Sequence, residues 1–458
     1  MPYAPRMQDA APVSALKSSP SSSGSSGKTV LARPPLSGFA VGLLLLVIFL
    51  LYSRSSDLIA MFVPSAGYIV RILSILLLML VLLTGTVRQA FSAIPFKYLT
   101  GFTLWLVLAV PTSYWRGGSL KLLTDQWFKD YLLMMAACAL ISNTLQVRKA
   151  IIAITLGTLQ LAAIALLLGA AGRLRLVTGV ADNPNDLAFF VLIGIPGCIL
   201  MARGNSLLLR WVGRIGIIVL GIVSMKTGSR MGLIIIAAIL ITQFFRTSIT
   251  GRVKLALSVL IIGAIGIAFT PGSILNRYRT LWAEVPQGAA DSGEVSRAMG
   301  SSAIRREELI RSIGVTLQHP LLGVGPGMFG DYLGQYSELR QTKIAFRQTH
   351  NTYTEVSSEA GIPALVFYLA ALAYTIRTSY RLSRPLKELS GPTPVMQLAD
   401  CLFLAAVIYA VGAFFACFAY NFFFPMLAAI TGALDLAVEK HPQDSLRFQP
   451  ALGRARLH

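Results

Sequence analysis

The chain is short of charge. Only 13% of its 458 residues are Asp, Glu, Lys or Arg, while 55% are hydrophobic and the mean hydropathy is +0.66. Soluble domains carry roughly a quarter charged residues, so a conventional water-exposed surface is excluded. Acidic residues are the scarcest: 20 against 40 Lys and Arg, for a formal net charge of +20. That excess invites a nucleic-acid reading. The reading fails because the basic residues sit in short clusters between apolar runs, where the positive-inside rule puts them. Cysteine is sparse too. Cys138, Cys198, Cys401 and Cys417 fall within apolar stretches without metal-ligand spacing, so they read as small buried hydrophobes and not as disulfides or ligands.

What is present is a series of apolar runs of the length that crosses a bilayer as helix, about 17 to 25 residues. They are continuous, as in Val41–Leu51, Ile72–Leu83 and Leu255–Phe269, and lack the alternation of a membrane barrel. The fold class is an all-α polytopic membrane protein of about twelve transmembrane helices. The spans are placed at 39–53, 66–84, 97–113, 130–143, 149–169, 186–202, 208–225, 230–246, 253–270, 359–378, 399–416 and 419–437. Residues 1–38 precede them as a disordered tail, with the low-complexity stretch Ser18–Gly27 and no apolar region before Phe39 that would make a signal peptide. Lys and Arg concentrate in this tail, in alternate connections and in the C-terminal tail 438–458, which puts both termini in the cytoplasm.

One connection stands apart. Residues 271–358 separate spans nine and ten (39–270 and 359–437 being the two membrane parts), and the topology places them outside. Loops of this length are usually functional or disordered. Ala303–Gln318 predicts a helix within it, from Ile310, Ile313 and Leu317 at helical spacing and the stop at Pro320, while the Gly/Ser-rich stretch Pro286–Ser302 reads as mobile.

Three features of this outer face could carry chemistry. Thr227-Gly228-Ser229-Arg230-Met231-Gly232 sets an arginine at the mouth of span eight beside Lys226. Such an arginine can snorkel to water, yet ionisable residues at membrane depth are costly and functional by default, and the pair suits an anionic lipid headgroup. The loop helix opens with Arg305-Arg306 and leads into His319–Phe329, whose glycines form a turn and not a nucleotide loop, since no Gly-Lys-Ser/Thr follows them. Helical spacing makes Arg306 extend the Ile310/Ile313/Leu317 stripe, with Arg305 beside it; solvated arginines are the plain alternative. Finally, Thr349-His350-Asn351-Thr352-Tyr353 leads into span ten through Glu355 and Glu359. His350 is one of only four histidines. Its ordinary pKa near 6.5 suits a general base, with Glu355 and Glu359 one turn apart to orient it or bind sugar hydroxyls.

Together these motifs resemble the O-antigen ligase/polymerase superfamily of bacterial membrane glycosyltransferases. The resemblance rests on Thr-Gly-Ser-Arg at 227–230, an arginine (Arg305) ahead of the His-Pro-Leu-Leu-Gly run, His-Asn-x-Tyr, Ser-Glu-Ala-Gly-Ile, and the external Asn183-Pro184-Asn185 turn. It implies a GT-C-like bundle in the cell inner membrane, with a periplasmic active site that takes an undecaprenyl-pyrophosphate-linked glycan as donor. The implied acceptor is a glycan or lipid A-core, and the implied transfer is cofactor-free, metal-independent and inverting. Flippase and export proteins of a polysaccharide pathway are the implied partners. The family's phosphate-binding arginines map to Arg230 and Arg305, and its loop histidine to His350; Asn185, Asn351, Tyr353, Glu359, Lys226 and Arg306 complete the candidate set. Where the family places an aromatic four residues after the loop arginine, this chain has Leu309, and both loop arginines are kept. A lipid-linked sugar transporter or flippase, or a non-catalytic scaffold of an envelope assembly, are the alternatives from other classes.

Overall fold

The computed structural model describes residues 35–60, 62–63, 65, 68–169, 174–175, 183–268, 272, 278, 293–339, 348–384 and 393–440. Among these residues the regular structure is entirely helical. The first half comprises α1 (Pro35–Ser53), α2 (Ser55–Ala60), α3 (Ile69–Leu83), α4 (Val87–Ala90), α5 (Ile94–Ala109), α6 (Arg116–Leu122), α7 (Phe128–Leu140) and α8 (Thr144–Leu168). The second comprises α9 (Pro184–Leu192), α10 (Ile195–Ala202), α11 (Leu207–Lys226), α12 (Arg230–Arg246), α13 (Ile249–Ala268), α14 (Gly293–Gln318), α15 (Phe329–Leu339), α16 (Thr352–Leu382), α17 (Pro394–Gly412) and α18 (Phe423–Lys440).

The twelve apolar runs all overlap helices, but among the described residues length and hydropathy single out six as able to cross a membrane: α1, α8, α9–α10 together, α11, α16 and α17. Others fall short singly. α12 has 17 residues and α7 has 13, although α7 continues α6 through a π-helical turn at Leu123–Trp127. The protein is a polytopic helical membrane protein, with exposed Ile72, Ile75, Met79, Leu104, Leu108 and Val366 turned outward and an aromatic core within. That core gathers Phe189 and Phe190 of α9 against Phe418, Phe422 and Phe423, with ring centroids 4.4 to 6.4 Å apart.

Two breaks shape the bundle. Pro196 cannot continue the α9 ladder, so the chain turns at Ile193–Gly194 before α10. Gly194 and Gly197 face Thr158 and Thr155 of α8 so closely that a Cβ would lie 2.0 and 1.8 Å from their hydroxyls. Small residues let the helices touch where no hydrophobic effect drives them together. The second break is Gly361 inside α16, at φ 84° and ψ 174°, followed by Pro363.

The segment after span nine departs from expectation. Its helix begins at Gly293, not Ala303, so residues 293–302 of the stretch read as mobile are helical; 286–292 lie outside the described residues. The stripe Ile310, Ile313 and Leu317 is exposed, and Glu308, Ser312 and Val315 form the buried face. The periodicity is helical as read, but the inward side is the opposite one. The N-terminal tail through Pro34 and the C-terminal residues 441–458 also lie outside the described residues.

Candidate functional site

The Thr-Gly-Ser-Arg motif is a helix-to-helix corner. Gly228 takes φ +63° after the last turn of α11, and Ser229 is the N-cap of α12, accepting from Gly232 N–H at 3.3 Å. Thr227 Oγ1 donates to Ser224 O at 2.6 Å and accepts from Ser229 N–H at 3.1 Å. Thr227 and Ser229 are fully buried, so the corner has one shape. Arg230 is therefore held at the first helical residue. A cation there opposes the helix dipole, which normally costs about 0.3–1 kcal/mol and favours an anion. Such a placement makes sense where the arginine and the helix N-terminus together face a negative group.

A second helix start joins it. Asn183 caps α9, accepting from Asn185 N–H at 3.0 Å, and Asn185 Oδ1 accepts from Ser229 Oγ at 2.8 Å. The next residue, Asp186, lies within electrostatic reach of Arg305. Hence the corner before Arg230 is bonded to Asn185, and Arg305 acts on the Asp186 that follows it. Lys226 closes the preceding helix; its carbonyl accepts from Leu174 N–H at 3.0 Å, and Tyr278 Oη donates to the neighbouring Met225 O at 2.7 Å. On α14, Arg305 is half-buried and Arg306 exposed. Arg305 shares the inward side with Glu308 and Ser312, whereas Arg306 belongs to the exposed stripe.

The glycine run is a strap across the α16 break. Val324 N–H and Gly325 N–H donate to Ser358 O and Glu359 O at 2.9 and 2.8 Å, and Ile362 N–H donates to Pro320 O at 2.7 Å. Trp105 Nε1 of α5 bonds Leu321 O at 3.2 Å and Ala360 O at 3.0 Å. Backbones meet backbones here. A Cβ on Gly361 would lie 2.0 Å from Leu321 O, and one on Gly323 2.2 Å from the Glu359 carbonyl carbon. Glu359 itself is buried, its carboxylate accepting from Gly327 N–H at 2.7 Å and Phe329 N–H at 3.3 Å. It holds the strap.

His350 sits at the head of α16 with φ +54°, the left-handed region that non-glycine residues seldom occupy. Such backbone costs of the order of 1–3 kcal/mol and collects at functional sites. Its N–H bonds Cys417 Sγ at 3.1 Å. Asn351 caps the helix, Oδ1 accepting from Tyr353 and Thr354 N–H while Nδ2 donates to Phe414 O at 3.3 Å. Tyr353 Oη donates to Ala410 O at 2.9 Å. The polar atoms of Asn351, Tyr353 and Glu359 are thus engaged with the protein's own backbone, positioning the turn that presents His350.

Beside His350 lies a polar cavity of about 310 Å³, lined by Asp331, Thr349, Glu355, Glu359, Tyr420 and Asn421 among others. Glu355 is half-buried and accepts from Ala419 N–H at 3.1 Å. The segment 414–421 ties this cavity to α9, because Phe418 N–H bonds Thr352 Oγ1 and the Phe418 ring lies 4.4 Å from Phe189. α14 packs on α16 as well, through Thr316 Oγ1 and Ser357 Oγ at 2.9 Å. Asp186, Asp331 and Asn421 were missed by sequence reasoning. Asp186 follows the Asn-Pro-Asn turn directly and was within reach of it; Asp331 and Asn421 are brought in only by tertiary packing.

No curated protein matches the chain. Residues 215–369 match a family model described as O-antigen ligase, a stretch that holds Arg230, Arg305, the glycine strap and His350. This stretch, about a third of the chain, is similar to that family over the residues that carry most of the motifs.

Proposed function

We propose that this protein is a membrane glycosyltransferase that transfers or polymerises undecaprenyl-pyrophosphate-linked glycans on the periplasmic face of the cell inner membrane, in surface-polysaccharide assembly. The observation that carries the reading is the hydrogen bond from Ser229, the cap before Arg230, to Asn185 at a second helix start, whose neighbour Asp186 is acted on by Arg305 of the loop helix. A pyrophosphate leaving group gathers negative charge as the anomeric bond breaks. Arginine forks match its oxygens, each charge-assisted hydrogen bond contributing roughly 1.5–3 kcal/mol. Arg230 and Arg305 take the role that a divalent ion plays in metal-dependent transferases, with Lys226 at the membrane edge.

On the other side, the acceptor sugar occupies the cavity with Glu355, Thr349 and Asn421, whose carboxylate, hydroxyl and amide groups suit sugar hydroxyls. One acceptor hydroxyl attacks the anomeric carbon as its proton passes to the His350 imidazole. The carbon–oxygen bond to pyrophosphate breaks, and the lipid diphosphate leaves with the electron pair. Attack opposite the leaving group inverts the anomeric centre. In this reading Arg306 stays in water. The twelve-span topology with cytoplasmic termini puts the site outside.

The test is transfer by purified full-length protein with lipid-linked glycan in excess EDTA. Undiminished turnover is expected. Activity lost on chelation and restored by magnesium or manganese contradicts the arginine clamp.

A further inference from the structure

A second cavity, of about 280 Å³, opens between α1, α3 and α7, away from the residues assigned above. Its lining is sorted along all three helices. At one end stand Arg54, just past α1, Arg71 in the first turn of α3, and Lys129 at the start of α7, with Asp57 and Asp130. Moving one to two turns along each helix, the walls become Leu50 and Leu51, then Ile75 and Leu78, then Leu133 and Ala136. Ile75 is 56% exposed and Leu132 36% exposed, so the cavity is open at its side, between helices whose outer faces are apolar.

Arg54 is fixed at the charged end by unusual means. It has φ +53°, one of two non-glycine residues in that region among those described. Its guanidinium lies 3.3 Å from Asp57 and over the Phe190 ring at 5.4 Å. A charge held against the end of an apolar span, beside apolar walls, is a candidate for binding an anionic group. Even with both acids ionised, three cations against two carboxylates leave one positive charge over. Water is a poor occupant of the leucine-lined end, where it would lack polar partners. A chain of methylenes fills such a groove and gains about 0.8 kcal/mol per buried CH₂.

We propose that the α1/α3/α7 cavity binds a glycerophospholipid, its phosphodiester at Arg54, Arg71 and Lys129 and one acyl chain between Leu51, Leu78 and Leu133. The match is threefold: one anionic charge for the one in excess, a charged end and an apolar end in the order of a lipid, and a side opening toward the bilayer. The inference does not depend on the transfer reaction. It concerns a separate set of residues, and its readout needs no glycan.

The experiment is native mass spectrometry of the full-length protein released from nanodiscs of phosphatidylglycerol, counting lipid retained through delipidation. Ser74→Phe fills the groove and keeps every charge; Arg71→Gln, on an exposed side chain, removes one phosphate contact and keeps the groove. Each variant is expected to retain phosphatidylglycerol about tenfold less than wild type, the loss of one charge-assisted contact or of the chain's seat. Uncharged diacylglycerol should not be held, and millimolar inorganic phosphate should not displace the lipid. Equal retention by Ser74→Phe and wild type overturns the proposal. So does displacement by inorganic phosphate, which would mark an anion site without a chain, or equal retention of diacylglycerol, which would mark an apolar groove alone.

Discussion

At the residue scale the account turns on two side chains held in costly places, Arg230 against a helix dipole and His350 in left-handed backbone. Arg230→Lys keeps the charge and loses the planar fork, so the rate of transfer should fall roughly ten- to a hundredfold, with donor binding weakened. Steady-state rates and donor titration check both. His350→Gly should separate stability from chemistry. Glycine adopts this backbone freely, so the variant should unfold at a higher temperature than His350→Ala, by an amount equivalent to about 1 kcal/mol, while both lose transfer. Thermal unfolding in the same detergent reads the difference. Both residues stand in short local motifs that the sequence displays. Arg305 and Arg306 were not separable, since the apolar stripe that pointed to Arg306 turned out to be the exposed face of α14. In a membrane protein an apolar stripe does not by itself mark the side that packs on protein.

At the element scale, the strap and the break in α16 form one unit. Gly323 and Gly361 meet across it at distances that leave no room for a methyl group. Gly361→Ala should therefore cost more than an ordinary helix substitution, both for the clash and for the positive φ, and should lower folded protein in the membrane several-fold. Quantitative blotting with a fluorescence-detected size-exclusion profile checks this. Glu359→Gln places an amide donor against one of the two backbone N–H groups and should destabilise by about 1–3 kcal/mol, with any loss of transfer following the loss of folded protein. The sequence showed a glycine turn and, separately, Ser-Glu-Ala-Gly-Ile at a helix start. It could not show that the two pair backbone to backbone, because nothing local in either stretch encodes a partner more than thirty residues away. Helix α14 was half legible: Pro320 fixed its end, whereas Gly and Ser concealed its start at Gly293.

For the whole molecule, composition carried most of the fold. Scarcity of charge and continuous apolar runs imply a helical membrane protein, and the described residues are helical throughout their regular structure. Where helices are short or interrupted, as in the 17-residue α12 and at the π-helical turn before α7, hydropathy counts fewer spans than the twelve apolar runs read from the sequence. A reporter fused within residues 286–292 should be active only outside the cytoplasm, and reporters at either terminus only inside. The reverse pattern would put the arginines and the histidine on the wrong face. The central claim, however, is the division of labour between donor clamp and base. Its most direct test compares single-turnover transfer and equilibrium donor binding for wild type and His350→Ala, both full-length, reconstituted at equal abundance with lipid-linked glycan. Transfer should fall by about 10²- to 10⁴-fold while donor affinity stays within about threefold of wild type. Wild-type transfer by His350→Ala, or a collapse of donor binding in step with the rate, would contradict it.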